Sequence, residues 1–279
     1  MIKILAGFVL LFAGFFNWTL SQNTTTYFPQ GVTFKPLYSN LLEARAGSSF
    51  MLGENRLRLD IGTTADFLRI DYPGGEKFSF GGDFFTWTRL RKNDDFKFPV
   101  MAVDYLFGLN ASYNFKLSGY DAGIRFRFSH ISAHLVDGQF DDKTLVWRDG
   151  QLPFVYSREF IEIFPAVYFN KSFRVYGGVT YIFHTIPEEV KPFILQTGAE
   201  KYFDGLLSES VTPFVYYGFE LAGNESYTGH NSITAGIKMG NAHGGGISFY
   251  YNYLSGKSVH GMFFNTAESY SSVGFNVDL

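Results

Sequence analysis

The stretch that decides the fold is MAVDYLFGLNASYNF, residues 101–115. Every second residue in it is apolar: Met101, Val103, Tyr105, Phe107, Leu109, Ala111, Tyr113 and Phe115. Asp104, Gly108, Asn110, Ser112 and Asn114 fill most of the gaps. Period-two alternation gives an extended strand one greasy face and one polar face. The pattern recurs along the chain, and its greasy rows are aromatic, since 279 residues include 33 Phe and 18 Tyr. Aromatics suit the two interfaces of a bilayer, where one end of a ring is wet and the other apolar. Together these features describe an all-β fold, a transmembrane antiparallel β-barrel in a bacterial outer membrane.

The chain opens with Lys3, an apolar run over residues 4–16, and Thr19 and Ser21 before Gln22. This reads as a signal peptide over residues 1–21. The run is shorter than the roughly 20 residues a membrane helix needs, and no later stretch supplies one. With no cysteine there is neither a disulfide framework nor a cysteine-linked lipid anchor. A formal net charge of −3 argues against a nucleic-acid partner. His130 and His134 share a face, but their spacing is too wide for one strand to aim both at one ion, so no metal site is expected. No motif calls for a cofactor.

Alternating segments separated by turn residues predict strands at about 43–52, 56–70, 77–91, 99–116, 119–135, 154–170, 173–184, 192–203, 211–222, 232–240, 246–255 and 269–279. That makes twelve, and an even count puts both ends of the barrel on one side. Tight turns at 117–119 and 170–172 then face the periplasm, and the longer connections at 136–153, 223–231 and 256–268 face outward. Residues 22–42 are expected as a periplasmic N-terminal arm, with a plug as the other reading of this strandless segment, and 43–279 as the barrel. The last strand alternates Val273, Phe275, Val277 and Leu279 with Ser272, Gly274, Asn276 and Asp278. It looks like the C-terminal signal that outer-membrane proteins present to the barrel-assembly machinery, with Leu279 in place of the usual aromatic.

Six charged residues fall on polar faces: Arg125, Arg127, Glu162, Arg174, Glu200 and Lys238. If the fifth and sixth strands form a symmetric hairpin with Leu135 opposite Phe154, partner numbers sum to 289 and Arg127 meets Glu162. Such a pair offsets the cost of burying charge in a narrow lumen. Lumen packing and a selectivity lining for a small solute both fit these charges. A general porin does not, because wide channels come with about 16 or more strands.

The fifth strand ends Arg125-Phe126-Arg127-Phe128-Ser129-His130-Ile131-Ser132-Ala133-His134. Unbroken alternation puts His130 and Ser132 beside Phe126 and Phe128 on the lipid side, and the same register sets Glu159 opposite His130. A bulge near Ser129 would instead send His130, Ser132 and His134 inward. His230-Asn231-Ser232 is a second His-x-Ser, and it falls on an inward face.

At His130 and Ser132 the chain resembles two families of outer-membrane lipid hydrolases, the lipid A 3-O-deacylases and the outer-membrane phospholipases A. Both place a His-x-Ser pair on the outside of a barrel and orient the histidine with Glu or Asn. The resemblance implies Ser132 as nucleophile, His130 as base, Glu159 as the orienting carboxylate and outer-membrane lipid as partner. It departs at Ala133, where those families carry Asn after the serine. A broader resemblance rests on FKPLYSNLLEARAGSS, SHISAHLVDG, FRVYGGVTYIFHTIP and LQTGAEKYF. These stretches are similar to a family of bacterial envelope proteins known as a domain of unknown function, which implies a single barrel and carries no activity. Two functions follow: a non-enzymatic envelope barrel, as a narrow channel or a surface-interaction protein, and a lipid-facing serine hydrolase acting on acyl esters of outer-leaflet lipid.

Overall fold

The computed structural model describes residues 23–224 and 226–278. The signal segment and the terminal Leu279 lie outside the described residues. Twelve strands form the wall: β2 (Ala46–Met51), β3 (Arg56–Asp71), β4 (Lys77–Arg91), β5 (Val100–Leu117), β6 (Tyr120–Leu135), β9 (Tyr156–Asn170), β10 (Phe173–Ile186), β11 (Phe193–Tyr202), β12 (Val211–Gly223), β13 (Tyr227–Gly240), β14 (Gly246–Lys257) and β15 (Ala267–Asp278). Each pairs antiparallel with the next, and β15 pairs with β2 to close the barrel. Three short strands stand outside this count. β1 (Thr24–Tyr27) adds to β3, and β7 (Phe140–Asp141) pairs with β8 (Val146–Trp147) in the loop between β6 and β9.

Alternation decides which way each side chain faces, because a barrel wall has only an inside and an outside. On β5, Phe107, Leu109 and Tyr113 are exposed on the outer surface while Asp104, Asn110 and Ser112 are buried inside. The tight connection between β5 and β6 puts positive φ angles at Ser118 and Gly119, and glycine accepts that backbone at no steric cost. The 72–76, 118–119, 171–172, 203–210 and 241–245 connections and both described chain ends lie at one end of the barrel, here the turn end, and the 52–55, 92–99, 136–155, 187–192 and 258–266 connections lie at the other, the loop end.

The expected N-terminal arm is instead a wall segment followed by a plug. β1 lies along β3, with Thr24 opposite Asp71, and residues 33–45 enter the lumen. Phe34 and Leu37 pack against Phe164, Ala166 and Tyr176 of the wall. Tyr38 packs against Tyr202, Phe214 and Tyr216, and Leu41 against Met51, Leu254 and Tyr270. Two glycines let its backbone come this close: a Cβ on Gly62 would lie 2.4 Å from the Ala44 carbonyl, and one on Gly218 2.6 Å from that of Ser39. The segment shows no periodicity because it meets wall residues on every side, so no single face of it is apolar.

The loop end of the bore is filled as well. At the loop end a short 3₁₀ turn, Gly261–Phe263, folds into the mouth, burying Met262 and Phe263 among Trp87, Leu106, Ile131 and Phe160. Asp104 holds this turn by accepting from His260 Nδ1 at 2.8 Å and from the Gly261 amide at 2.7 Å.

β2 is short, so one side of β3 is incompletely covered. Residues 57–60 of β3 pair with β2 and 68–71 with β1. Between them, residues 61–66 pair with β4 alone. The plug backs this gap: Asp66 accepts from the amide and hydroxyl of Thr33, each at 2.7 Å, and the Phe28 amide donates to the Phe67 carbonyl at 3.0 Å.

Candidate functional site

β6 and β9 run side by side from Asp121 opposite Tyr168 to Ala133 opposite Tyr156, with no break in register. Partner numbers sum to 289 throughout, the register that the sequence predicts from its hairpin symmetry. No bulge intervenes at Ser129. Ile131 and Ala133 are 1% and 2% exposed inside the barrel while Phe128 is 49% exposed outside, so His130 and Ser132 lie on the outer row.

That register places His130 opposite Glu159 and Ser132 opposite Ser157. His130 Nδ1 lies 2.6 Å from Glu159 Oε1, and Ser157 Oγ donates to the same oxygen at 2.8 Å. A carboxylate only accepts, so Nδ1 of His130 is the donor and Nε2 is left as a base on the neutral ring. The imidazole also packs on Phe107, ring centroids 4.9 Å apart. The pair stays accessible from outside, with side-chain exposures of 30% for His130 and 25% for Glu159. Among the described residues Ser132 Oγ makes no hydrogen bond to the ring.

Sequence reasoning missed a third outer residue, His184. By parity with Val179 and Tyr181 it belongs inside. A bulge between Ile182 and His184 makes Phe183 an extra residue and sets His184 opposite Glu159, re-aiming the side chain outward. His184 Nδ1 then hydrogen-bonds Glu159 Oε2, so one carboxylate serves two imidazoles and one hydroxyl. The displaced Phe183 ring stacks on Phe128 at 5.8 Å.

Inside the wall, all six of the predicted lumen charges are buried. Arg127 donates to Glu162 at 2.8 Å and to Asp83 at 2.9 Å. Arg125 donates to Glu162 at 3.3 Å and, through both terminal nitrogens, to Glu43 of the plug. Arg174 pairs with Glu200 at 2.6 Å while also donating to the Lys35 carbonyl of the plug at 2.9 Å. Lys238 pairs with Asp278 at 2.7 Å. The partners Glu43, Asp83 and Asp278 escaped sequence reasoning. Asp83 sits on the polar row of its strand and had a legible parity, but Glu43 lies at the border of the aperiodic plug. No group of described residues has the arrangement of a metal site.

A closed twelve-stranded antiparallel barrel with an aromatic outer surface is the architecture of outer-membrane barrel proteins, and one solved structure it resembles bears that class in its name. Outer membrane phospholipase A from Escherichia coli superimposes with a TM-score of 0.53 at 11% identity, over 85% of this chain and 92% of that one. The β domain of the Bordetella autotransporter BrkA gives 0.39 at 10% identity, over 85% and 98% of the two chains. The translocator domain of the autotransporter NalP from Neisseria meningitidis gives 0.37 at 10%, over 100% and 96%. Residues 23–278 match the family described as protein of unknown function (DUF1207), and the chain belongs to that family. No curated protein matches it.

Proposed function

We propose that this protein is an outer-membrane barrel whose outer wall carries a serine hydrolase site for acyl esters of outer-leaflet lipid, with the turn end in the periplasm. The observation that carries the reading is the outward-facing hydrogen bond of 2.6 Å between His130 Nδ1 and Glu159 Oε1, with Ser132 two residues on in the same outer row. Glu159 fixes the tautomer that leaves Nε2 basic. Nε2 takes the Ser132 proton as Oγ attacks the ester carbonyl and returns it to the leaving alkoxide; water, giving its proton to the same Nε2, then cleaves the acyl-serine, and the proton goes back to Oγ as the fatty acid leaves. The superimposed barrel named as a phospholipase agrees with this chemistry by fold alone. A site on the wall meets its substrate in the membrane without extracting it.

One observation favours a second reading, a non-enzymatic envelope barrel: the missing bond between Ser132 Oγ and the imidazole. In that reading Glu159 clamps β6, β9 and β10 together. A solute channel has less support, because residues 33–45 and 260–263 occupy the bore.

The test is fatty-acid release from phospholipid or lipid A in mixed micelles, with and without added divalent cation. The wild-type protein releases fatty acid, Ser132→Ala abolishes release, and Glu159→Ala slows it by at least about tenfold. Ser269→Ala, on the far side of the barrel, leaves it unchanged. A wild-type protein inert on both lipids overturns the hydrolase reading.

A further inference from the structure

On the inner face of the wall, His230 repeats the arrangement of His130. It stands opposite Glu220, with its Nδ1 3.2 Å from Glu220 Oε1 and Ser232 two residues on. Gln196 Nε2 donates to the other oxygen of Glu220. This inner cluster borders a cavity of about 90 Å³ beneath the loop end, lined also by Arg158, Asn224, Thr228 and Lys257.

Two polar atoms at this cavity are buried and without a partner, Nε2 of His230 and Nε of Arg158. Among the described residues the Arg158 side chain makes no hydrogen bond and no ion pair; the Tyr156 ring lies 5.7 Å from it, and the Glu220 carboxylate acts on it at longer range. Lys257 donates to the Asn265 carbonyl at 2.8 Å and likewise pairs with no described carboxylate. Glu220 is committed to His230 and Gln196. The cavity is therefore walled by two cations with no hydrogen-bonded carboxylate, Glu220 acting on Arg158 only at longer range, and a buried guanidinium nitrogen left unpaired is costly unless something accepts its hydrogen bond.

We propose that this cavity binds a small oxyanion, a carboxylate or phosphate group, held by the Arg158 guanidinium, with the unpartnered Nε2 of His230 as the second polar atom facing it. The guanidinium presents two parallel N–H groups to a planar or tetrahedral oxyanion. Glu220 accepts from Nδ1, so the imidazole lies between the protein carboxylate and the bound ion. The volume suits an ion of four or five heavy atoms and excludes a lipid headgroup with its chains. The site lies on the opposite face of the wall from Ser132 and does not depend on the hydrolase reading.

The experiment uses the full-length mature protein in detergent micelles with selectively labelled histidine, titrated separately with inorganic phosphate and with acetate. Saturable movement of the His230 ring signals at millimolar anion, with His130 signals unmoved, is the expected result, and the anion that saturates first names the chemistry. Arg158→Gln weakens binding at least tenfold, and Arg158→Lys, which keeps the charge but loses the fork, weakens it less. If Arg158→Gln does not fold, judged by loss of its unheated gel mobility, His230→Gln measured by calorimetry takes its place with the same expected loss. Absence of saturable binding by either anion, or equal binding in the variants, overturns the proposal and leaves a water-filled cavity.

Discussion

Glu43 of the plug accepts hydrogen bonds from both terminal nitrogens of Arg125 on β6, at 3.1 Å to Oε2 from one and through Oε1 from the other. This fork ties the lumenal segment to the wall at the centre of a charge cluster. Three carboxylates, Glu43, Asp83 and Glu162, surround two guanidinium groups, Arg125 and Arg127.

The count makes the two signs unequal in their effect. Arg127→Met leaves three buried carboxylates facing one cation and destabilises the barrel by about 3–5 kcal/mol, the usual result of stranding buried charge. Glu162→Gln leaves two carboxylates and two cations and costs about 1 kcal/mol or less. The chaotrope midpoint of the unheated, compact gel band measures both. Equal losses in the two variants would show that the cluster is not electrostatically coupled.

Removing residues 33–42 empties the bore between the wall faces that Phe34, Leu37 and Tyr38 cover. The intact protein is expected to be silent in planar bilayers, and the deletion variant to conduct ions in discrete steps once Met262→Ala and Phe263→Ala also open the loop-end mouth. A conducting wild-type protein would mean that the plug leaves a path open.

His184 shares Glu159 with His130 and, in the hydrolase reading, touches neither nucleophile nor base. His184→Phe therefore changes kcat/KM for fatty-acid release by less than about threefold, against at least about tenfold for Glu159→Ala. A loss in His184→Phe as large as in Glu159→Ala would make His184 part of the proton path.

In cells, the mature protein is expected to begin near Gln22, to fractionate with outer membranes and to run faster on gels when unheated. N-terminal sequencing and density-gradient fractionation check these. Recovery as a soluble periplasmic protein would overturn the location.

Alternation carried most of the wall: twelve strands, their order, and the β6–β9 register down to Arg127 opposite Glu162 are all legible in the residues. Boundaries slipped where polar residues continue a strand, as in β13, which begins at Tyr227 rather than near Ser232 because Thr228 and His230 face the cavity beneath the loop end. His184 was hidden by a bulge, a one-residue change of parity that no local composition marks. Glu43, His260 and the plug were hidden for another reason. They belong to segments that fold into the barrel, and their partners lie far away along the chain, as Asp104 and His260 do.

The half-covered edge of β3 gives the molecule a direction of tearing. Over residues 61–66, about 20 Å at ~3.4 Å per residue, no strand is zipped to that side, and the anchorages at Thr33 and Phe28 stand in for a ladder. An N–H or C=O left bare toward hydrocarbon is expensive, so this hem holds only while the plug stays seated. Unravelling is therefore expected to start at this N-terminal hem and to run toward the β2–β15 seam.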